Sequence, residues 1–404
     1  MLVPDDAPIA TPAAPSGTRI SLACALVAIL AGLGAIWATH ATWPAPSELV
    51  KVAFSDEIAP LAVRIDPGFV LVGGQEHYDG VYYYAMALDP LATGEAHELI
   101  DQAGYRYGRP MHGWLAAALS LGEPSRVPAA LLFLSLLGLG LGGYLASRLC
   151  VAFGRTAWGG LAIAMSPGLM FAATVSITET MTAAIVIGLV LAWMRQAPAW
   201  VIAVLAVLLC LYREQLVLVL VGIGGFAIVD QWRQRRRPSG AQWARILALL
   251  AGPLALVAWL AYVSATFGTR PAPADPGNVD LPLMGWLETF RIAVWLQEQG
   301  SLDAQQIGST SPTALIAIAV LLLAALWAAR NLRSPLDGVL ITLVVLMSVL
   351  SWRTLLYPHE LYRIPALSVL AAIGVLLLGR PAPVVPETLA QAEAEAEAQA
   401  QADA

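Results

Sequence analysis

Charge is scarce in this chain. Only 12% of its 404 residues are Asp, Glu, Lys or Arg, about half the share of an average globular chain. Hydrophobic residues make up 58% and the mean hydropathy is +0.69. This composition excludes a water-soluble enzyme and a disordered chain, and a net charge of −6 excludes a nucleic-acid binder with a basic face. Lysine is almost missing: Lys51 stands alone among 22 basic residues, a bias for which composition supplies no physical reason. The three cysteines, Cys24, Cys150 and Cys210, lie in or beside apolar runs without metal-ligand spacing. They read as small core hydrophobes, not as a disulfide or metal framework.

What the chain has instead is long apolar runs. A membrane-spanning helix needs about 20 apolar residues, and ten runs approach that length: Ile20–Ala38, Val127–Ala146, Ala157–Val175, Met181–Met194, Ala199–Leu211, Gln215–Val229, Ile246–Phe267, Thr313–Ala329, Leu336–Ser351 and Ile364–Gly379. The expected fold is an all-α polytopic transmembrane bundle of about ten spans, within a range of nine to twelve. The first run starts too far in, behind Asp5 and Asp6, for a cleaved signal peptide. Gly113–Leu121 is too short to cross and reads as re-entrant or interfacial.

Arginine placement sets the orientation, because short cytoplasmic loops accumulate positive charge. With the N-terminus inside, Arg19, Arg148, Arg155, Arg195, Arg233, Arg235, Arg236, Arg237, Arg245, Arg330, Arg333 and Arg380 are all cytoplasmic. The reading is therefore a cytoplasmic tail (1–19), a membrane domain (20–380) with external loops at 40–126 and 268–311, and a low-complexity acidic cytoplasmic tail (381–404).

With the sign fixed, the remaining polar residues gather on the external side. The first loop carries HYDGVYYYAMALDP (77–90) and YRYGRPMHGW (105–114). Short external turns carry Thr178-Glu179-Thr180, Tyr212-Arg213-Glu214, and the group Arg353, His359, Glu360 and Arg363. Ionisable groups are costly at membrane depth, so their clustering predicts a polar, partly intramembrane cavity opening outward. Gly80 lets the backbone turn and present the Asp79 carboxylate, either for chemistry or as a helix cap. Tyr78, Tyr82, Tyr83 and Tyr84 suit either sugar faces or the bilayer interface. Asp89-Pro90 reads as a helix stop. Arg106 and Arg109 suit either a lipid phosphate or headgroup snorkelling. Glu179 suits the start of the helix at Met181 through the macrodipole, and Arg213 with Glu214 reads as a self-neutralising pair. The segment GWLETFRIAVWLQEQ in the second large loop reads as an amphipathic lid, an acceptor platform or an interfacial anchor.

These blocks, with SPGLMFAATVSITETMTAAI, CLYREQLVLVLVG and RTLLYPHELYRIPALSVLA, resemble polytopic GT-C glycosyltransferases. Most closely they resemble the bacterial subgroup with a YDG…YY…ALDP first external loop, although Val81 stands where a polar residue often follows YDG. The resemblance implies a bacterial cytoplasmic-membrane enzyme that moves a sugar from a polyprenyl-phosphate-linked donor to a glycan, lipid or protein acceptor on the external face. It implies Asp79 as the essential first-loop acid, Glu179 as a second acidic position, and Arg363 with Arg353 as holders of the lipid phosphate. Tyr78, Tyr82, Tyr83, Arg106, Arg109, Arg213, Glu214 and His359 complete the expected substrate-binding set. No cofactor is required by this reading. The loop lacks an adjacent acidic pair, and a divalent metal is neither required nor excluded. A transporter or flippase of a lipid-linked or small substrate would also need an outward polar cavity, as would a glycan polymerase or ligase. A transporter is expected to show internal repeats, which are not evident here.

Overall fold

The computed structural model describes residues 15–40, 42–235, 238–268, 277–299 and 301–379. Arg236, Arg237, Arg380, most of the N-terminal tail and the acidic tail lie outside the described residues. The described chain is helical, and its only β-pairings are the isolated bridges Ala53–Val72 and Val279–Leu350.

Among the described residues, six helical stretches are long and apolar enough to cross a membrane: Gly17–Ala38, Pro124–Ala152, Glu214–Gln234, Gly240–Phe267, Leu302–Ala329 and Pro358–Leu378. A seventh candidate is a bent pair, Ala157–Ala164 and Pro167–Thr174, broken by 52°. The break has a local cause. Pro167 disfavours helical geometry at the residue before it, and Ser166 is extended at φ −83° and ψ 107°. The other three apolar runs form shorter helices, Glu179–Met194, Ala199–Tyr212 and Pro335–Ser348. Each sequence run thus becomes a helix or a bent pair, but only six, or seven with the bent pair, reach spanning length.

The second external loop is shorter than expected. Ser301 caps a helix start by accepting from the Ala304 N–H, and the helix runs Leu302–Ala329 with Pro312 inside it. Polar residues 302–312 read as loop, yet they supply the first turns of that helix. Within the loop, Met284–Glu298 is a helix packed along Leu302–Ala329, with Ala293 and Thr289 buried and Leu287, Val294 and Trp295 exposed.

The short helices govern depth. At about 1.5 Å per residue, helices of 14 to 16 residues rise only about 21–24 Å, less than the roughly 30 Å of hydrocarbon. The start of Glu179–Met194 packs against the middle of the long Val127–Ala152 helix. A Cβ on Gly138 would lie 2.6 Å from the Met181 nitrogen, and Gly138 is about 16 Å along that helix. Glu179 therefore lies sunk below the end of its longer neighbour.

The long segment between the first two apolar helices, read in sequence as the first loop, folds over this depression. Its helix Gly80–Leu88 is buried at every position but the last and packs with Val127, Ala130, Leu131 and Leu134 in a hydrophobic cluster of its own. A second short helix, Met111–Leu119, packs on the first, with a Cβ on Gly113 meeting Met86 at 2.6 Å. Asp89 organises the exit of the first helix: it accepts from the Thr93 and Gly94 N–H groups and from His97, while Tyr107 donates to the Asp89 carbonyl. Asp89 is thus the helix stop that its Pro90 neighbour suggested.

Gly80 is needed for a reason other than turn flexibility. A Cβ there would stand 2.5 Å from the Val50 carbonyl oxygen and 2.8 Å from that of Val175. Substituting Gly80→Ala forces these backbones apart and is expected to cost about 1–3 kcal/mol, read as a lower melting midpoint in detergent. Gly34→Ala, where nothing lies within 4 Å, serves as the control. Equal melting of the two variants would contradict the close approach.

Candidate functional site

Four separate parts of the chain meet in one ionic cluster. Asp79 immediately precedes the buried first-loop helix. Glu179 opens the sunken Glu179–Met194 helix. Arg213 follows the end of Ala199–Tyr212, and Glu360 and Arg363 lie on Pro358–Arg363.

Arg363 is the hub. Its Nη1 donates to Asp79 Oδ2 at 2.9 Å and its Nη2 to Glu360 Oε2 at 2.7 Å. Its Nε lies 3.5 Å from Glu179 Oε1. That same Glu179 oxygen accepts from Arg213 Nη2 at 2.5 Å, and Arg213 Nε donates to Thr178 Oγ1 at 3.3 Å. On the other side, Arg106 reaches Asp79 Oδ1 at 3.5 Å, with its guanidinium 3.6 Å from the centre of the Tyr82 ring. Tyr78 donates its hydroxyl proton to Glu360, and its ring centre lies 5.1 Å from the Arg363 guanidinium. In this group three arginines face three carboxylates, and Arg106 also lies 3.6 Å from Asp101. Arg363 and Glu179 are buried, at 6% and 3% exposure, whereas Asp79 keeps a partly open side chain.

Burial pushes the Asp79 carboxyl up, but Arg363 and Arg106 outweigh it and hold it down at about 2. Arg363 and Arg106 therefore hold Asp79 as an ionised, weakly basic carboxylate.

Several expected site residues take other positions. Arg213 and Glu214 do not neutralise each other. Arg213 is extended at φ −155° and ψ 119°, which sends successive side chains to opposite sides; Glu214 instead receives a forked pair from Arg109, at 2.7 and 2.6 Å. Arg109 also donates to the Tyr105 hydroxyl at 2.6 Å. It thus clasps the first loop to the 212–216 turn. Arg353 lies against Gly277 and 5.7 Å from the Trp352 ring centre. Tyr82, Tyr83 and Tyr84 are 7%, 5% and 0% exposed. Buried under Arg106 and against His112, the first two offer no open face to a sugar and do not reach a bilayer surface. Tyr78 and His359 do line the cluster. His359 Nε2 is 3.9 Å from Glu360 Oε1, and its ring packs near Tyr78, Phe171 and Tyr357.

The sequence places Glu360 in a charged turn without assigning it a role, and assigns none to Thr178, His112 and Tyr212. The i, i+3 spacing of Glu360 and Arg363 on a helix was the available signal for the first. His112 and Tyr212 have none, since tertiary packing alone brings them together at 5.8 Å between ring centres. Burial pushes His112 down to about 3, beside the Ser176 backbone, and keeps the ring neutral. Ser176 itself is held at φ +51°, an uncommon backbone region for a non-glycine residue.

Away from this cluster, arginines meet backbone carbonyls. Arg155 donates to the Leu378 carbonyl and Arg233 to those of Asn331 and Leu332. The mixed-charge cluster and these carbonyl-bound arginines therefore sit at different ends of the helices that connect them. Among the described residues, no group of three or more His, Cys, Asp or Glu is arranged to hold a metal ion; the three carboxylates of the cluster converge on a guanidinium. The chain matches no protein-family model and no curated protein.

The depressed carboxyl of Asp79 has a definite pH signature. Its contribution to stability is fully present above the ordinary value of 3.8 and is lost as pH falls towards about 2. Melting curves taken from about pH 5 to about pH 2 should therefore fall more steeply for the wild-type protein than for Asp79→Asn. Parallel curves would remove Asp79 from the buried network.

Proposed function

We propose that the protein is a membrane glycosyltransferase of the GT-C type. It moves a sugar from a polyprenyl-phosphate-linked donor to an acceptor hydroxyl at the external face of a bacterial cytoplasmic membrane, with both termini inside. One observation carries this reading: a first-loop carboxylate lies 2.9 Å from an arginine 284 residues later, in a sunken polar site at the end of a helical bundle. A phosphate-bearing lipid presents its headgroup at that kind of depth, with the chain free to lie along apolar helices.

The chemistry follows from the groups present. The acceptor oxygen attacks the anomeric carbon, and its proton passes to Asp79 acting as general base. The bond between the anomeric carbon and the phosphate oxygen breaks, and its electron pair leaves with the polyprenyl phosphate. Arg363 and Arg106 stabilise the charge that develops there. Glu179 and Glu360 hold Arg363 and Arg213 in position. An arriving phosphate competes with Asp79 for the same guanidinium groups. As it takes over their N–H donors, the hold on Asp79 weakens and the carboxylate becomes a stronger base where it is needed. The same exchange explains why a base held near 2 without substrate is compatible with proton abstraction.

The test uses full-length protein in membranes supplied with radiolabelled undecaprenyl-phosphate hexoses. Asp79→Asn is expected to lose about 10²–10⁴-fold in transfer while still inserting into the membrane, and to melt below the wild type at neutral pH because the Asp79–Arg363 pair is lost. Undiminished transfer by that variant sinks the assignment. Movement of intact labelled lipid across vesicles without transfer would establish the flippase reading instead.

A further inference from the structure

A cavity of about 280 Å³ lies among five helical segments of the bundle. Its walls come from Val127–Ala152, Ala157–Ala164, Glu179–Met194, Pro335–Ser348 and the last apolar helix, Ala366–Leu378. Leu149, Ile163, Val190, Val339 and Ala371 are buried wall residues. Along the last helix the lining runs from Leu367 to Leu378, about 16 Å of helix rise. Arg155 is the one charged side chain in the lining and Thr156 the one hydroxyl. The exposed lining residues are Arg155, Thr156, Gly159 and Leu377. They gather at one end, where Arg155 bonds the Leu378 carbonyl, and form the mouth. That mouth lies at the opposite end of Pro358–Leu378 from Arg363.

We propose that this cavity holds one acyl chain of an anionic phospholipid, with the lipid phosphate at the mouth on Arg155 and Thr156. Apolar cavities of about 150 Å³ stay dry and take up hydrocarbon. This one is larger, and two of its walls are helices of membrane-spanning composition, whose natural surroundings are lipid chains. The mouth sets the headgroup. Among the described residues the Arg155 guanidinium makes one hydrogen bond, from Nε to the Leu378 carbonyl at 3.1 Å. Its two Nη groups remain as donors for a phosphate. Thr156 Oγ1 accepts from the Trp158 N–H at 3.5 Å and keeps its own proton to donate. Asp337, the acid on the helix that supplies Leu336 and Val339, is engaged by the Arg333 and Ser334 N–H groups. The charge offered at the mouth is therefore positive, and an anionic headgroup complements it.

This lipid is distinct from the glycosyl donor, and the inference stands apart from the glycosyltransferase reading. A phosphate on Arg363 sits four residues before Leu367, at the inner end of the cavity, whereas the exposed rim surrounds Arg155. The phospholipid enters from the opposite leaflet, and its chain packs against the helix that follows the Arg363 hub. A native thiol reports on the site. Cys150 lines the wall with its sulfur towards Gly159 and is 8% exposed. Cys24 and Cys210 are 0% exposed and lie outside the lining.

Full-length protein, delipidated in detergent, is titrated with dioleoyl phosphatidylglycerol, dioleoyl phosphatidylcholine and undecaprenyl phosphate. Bound lipid is counted by native mass spectrometry, and modification of Cys150 by N-ethylmaleimide is followed by peptide mass. The wild type is expected to bind phosphatidylglycerol about fivefold more tightly than phosphatidylcholine, the effect of one arginine beside an anionic lipid. Phosphatidylglycerol should also slow Cys150 modification. Arg155→Gln should lose the preference and Arg155→Lys keep it. Ala162→Phe, which fills the cavity without changing charge, should weaken binding of both phospholipids; if it fails to fold, the Arg155 pair decides. Equal binding of the two phospholipids by the wild type, or a preference that survives in Arg155→Gln, overturns the inference. A Cys150 that reacts equally fast at saturating phosphatidylglycerol overturns it, because the lipid then binds elsewhere. A Cys150 that stays unreacted without lipid does so too, because the mouth then admits nothing. Stronger protection by undecaprenyl phosphate than by phosphatidylglycerol also overturns it, since the cavity then takes a polyprenyl chain.

Discussion

Everything distinctive about this protein converges on the guanidinium of Arg363. It is 6% exposed, and three carboxylates from three separate segments approach it: Asp79, Glu179 and Glu360. A buried arginine is tolerable only when its hydrogen bonds are met and its charge is balanced. Here that demand draws the first long loop, the opening of the Glu179–Met194 helix and the last apolar segment to one place. Arg213 and Arg106 then balance the carboxylates in turn. The network is stabilising as a whole, yet each arginine remains a potential partner for an incoming anion.

The membrane setting makes the network possible. Short helices end before the full hydrocarbon depth, so their polar termini occupy a depression, not the water-exposed surface. The first loop closes the depression with a small hydrophobic core built around Tyr84, Met86 and Leu131. The loop is therefore a folded cap: Asp79, Arg106 and Arg109 turn towards the helix ends, whereas Glu57, Arg64, Glu76, Glu95 and Glu123 stay exposed on its outside. Dense packing and the ionic cluster lie side by side beneath it. The apolar packing gives rigidity.

Much of this was legible from residues alone. Ten apolar runs appear as helices or a bent pair, and Asp79, Arg106, Glu179, Arg213, Glu360 and Arg363, taken from the motifs that sequence sorted to one side, meet in one cluster. Low charge content made that sorting possible, since few ionisable residues had to be explained. The failures have physical reasons. Arg213 and Glu214 are neighbours in sequence, but an extended backbone turns them to different partners. The first-loop tyrosines look exposed because their loop is long and polar, but the helix Gly80–Leu88 is enclosed on nearly every side. Gly80 suggested a sharp turn, whereas its actual requirement is room for two carbonyl groups. The contact of His112 with Tyr212 depends on tertiary packing between distant segments and leaves no local pattern.

The central claim is that the Arg363 cluster receives the phosphate of a lipid-linked donor by exchange with Asp79. A structure of the protein with bound undecaprenyl phosphate tests it most directly. The account predicts the phosphate within hydrogen-bond distance of Arg363, with the Asp79–Arg363 pair parted. A phosphate bound elsewhere, with that pair still at its present 2.9 Å, would contradict it.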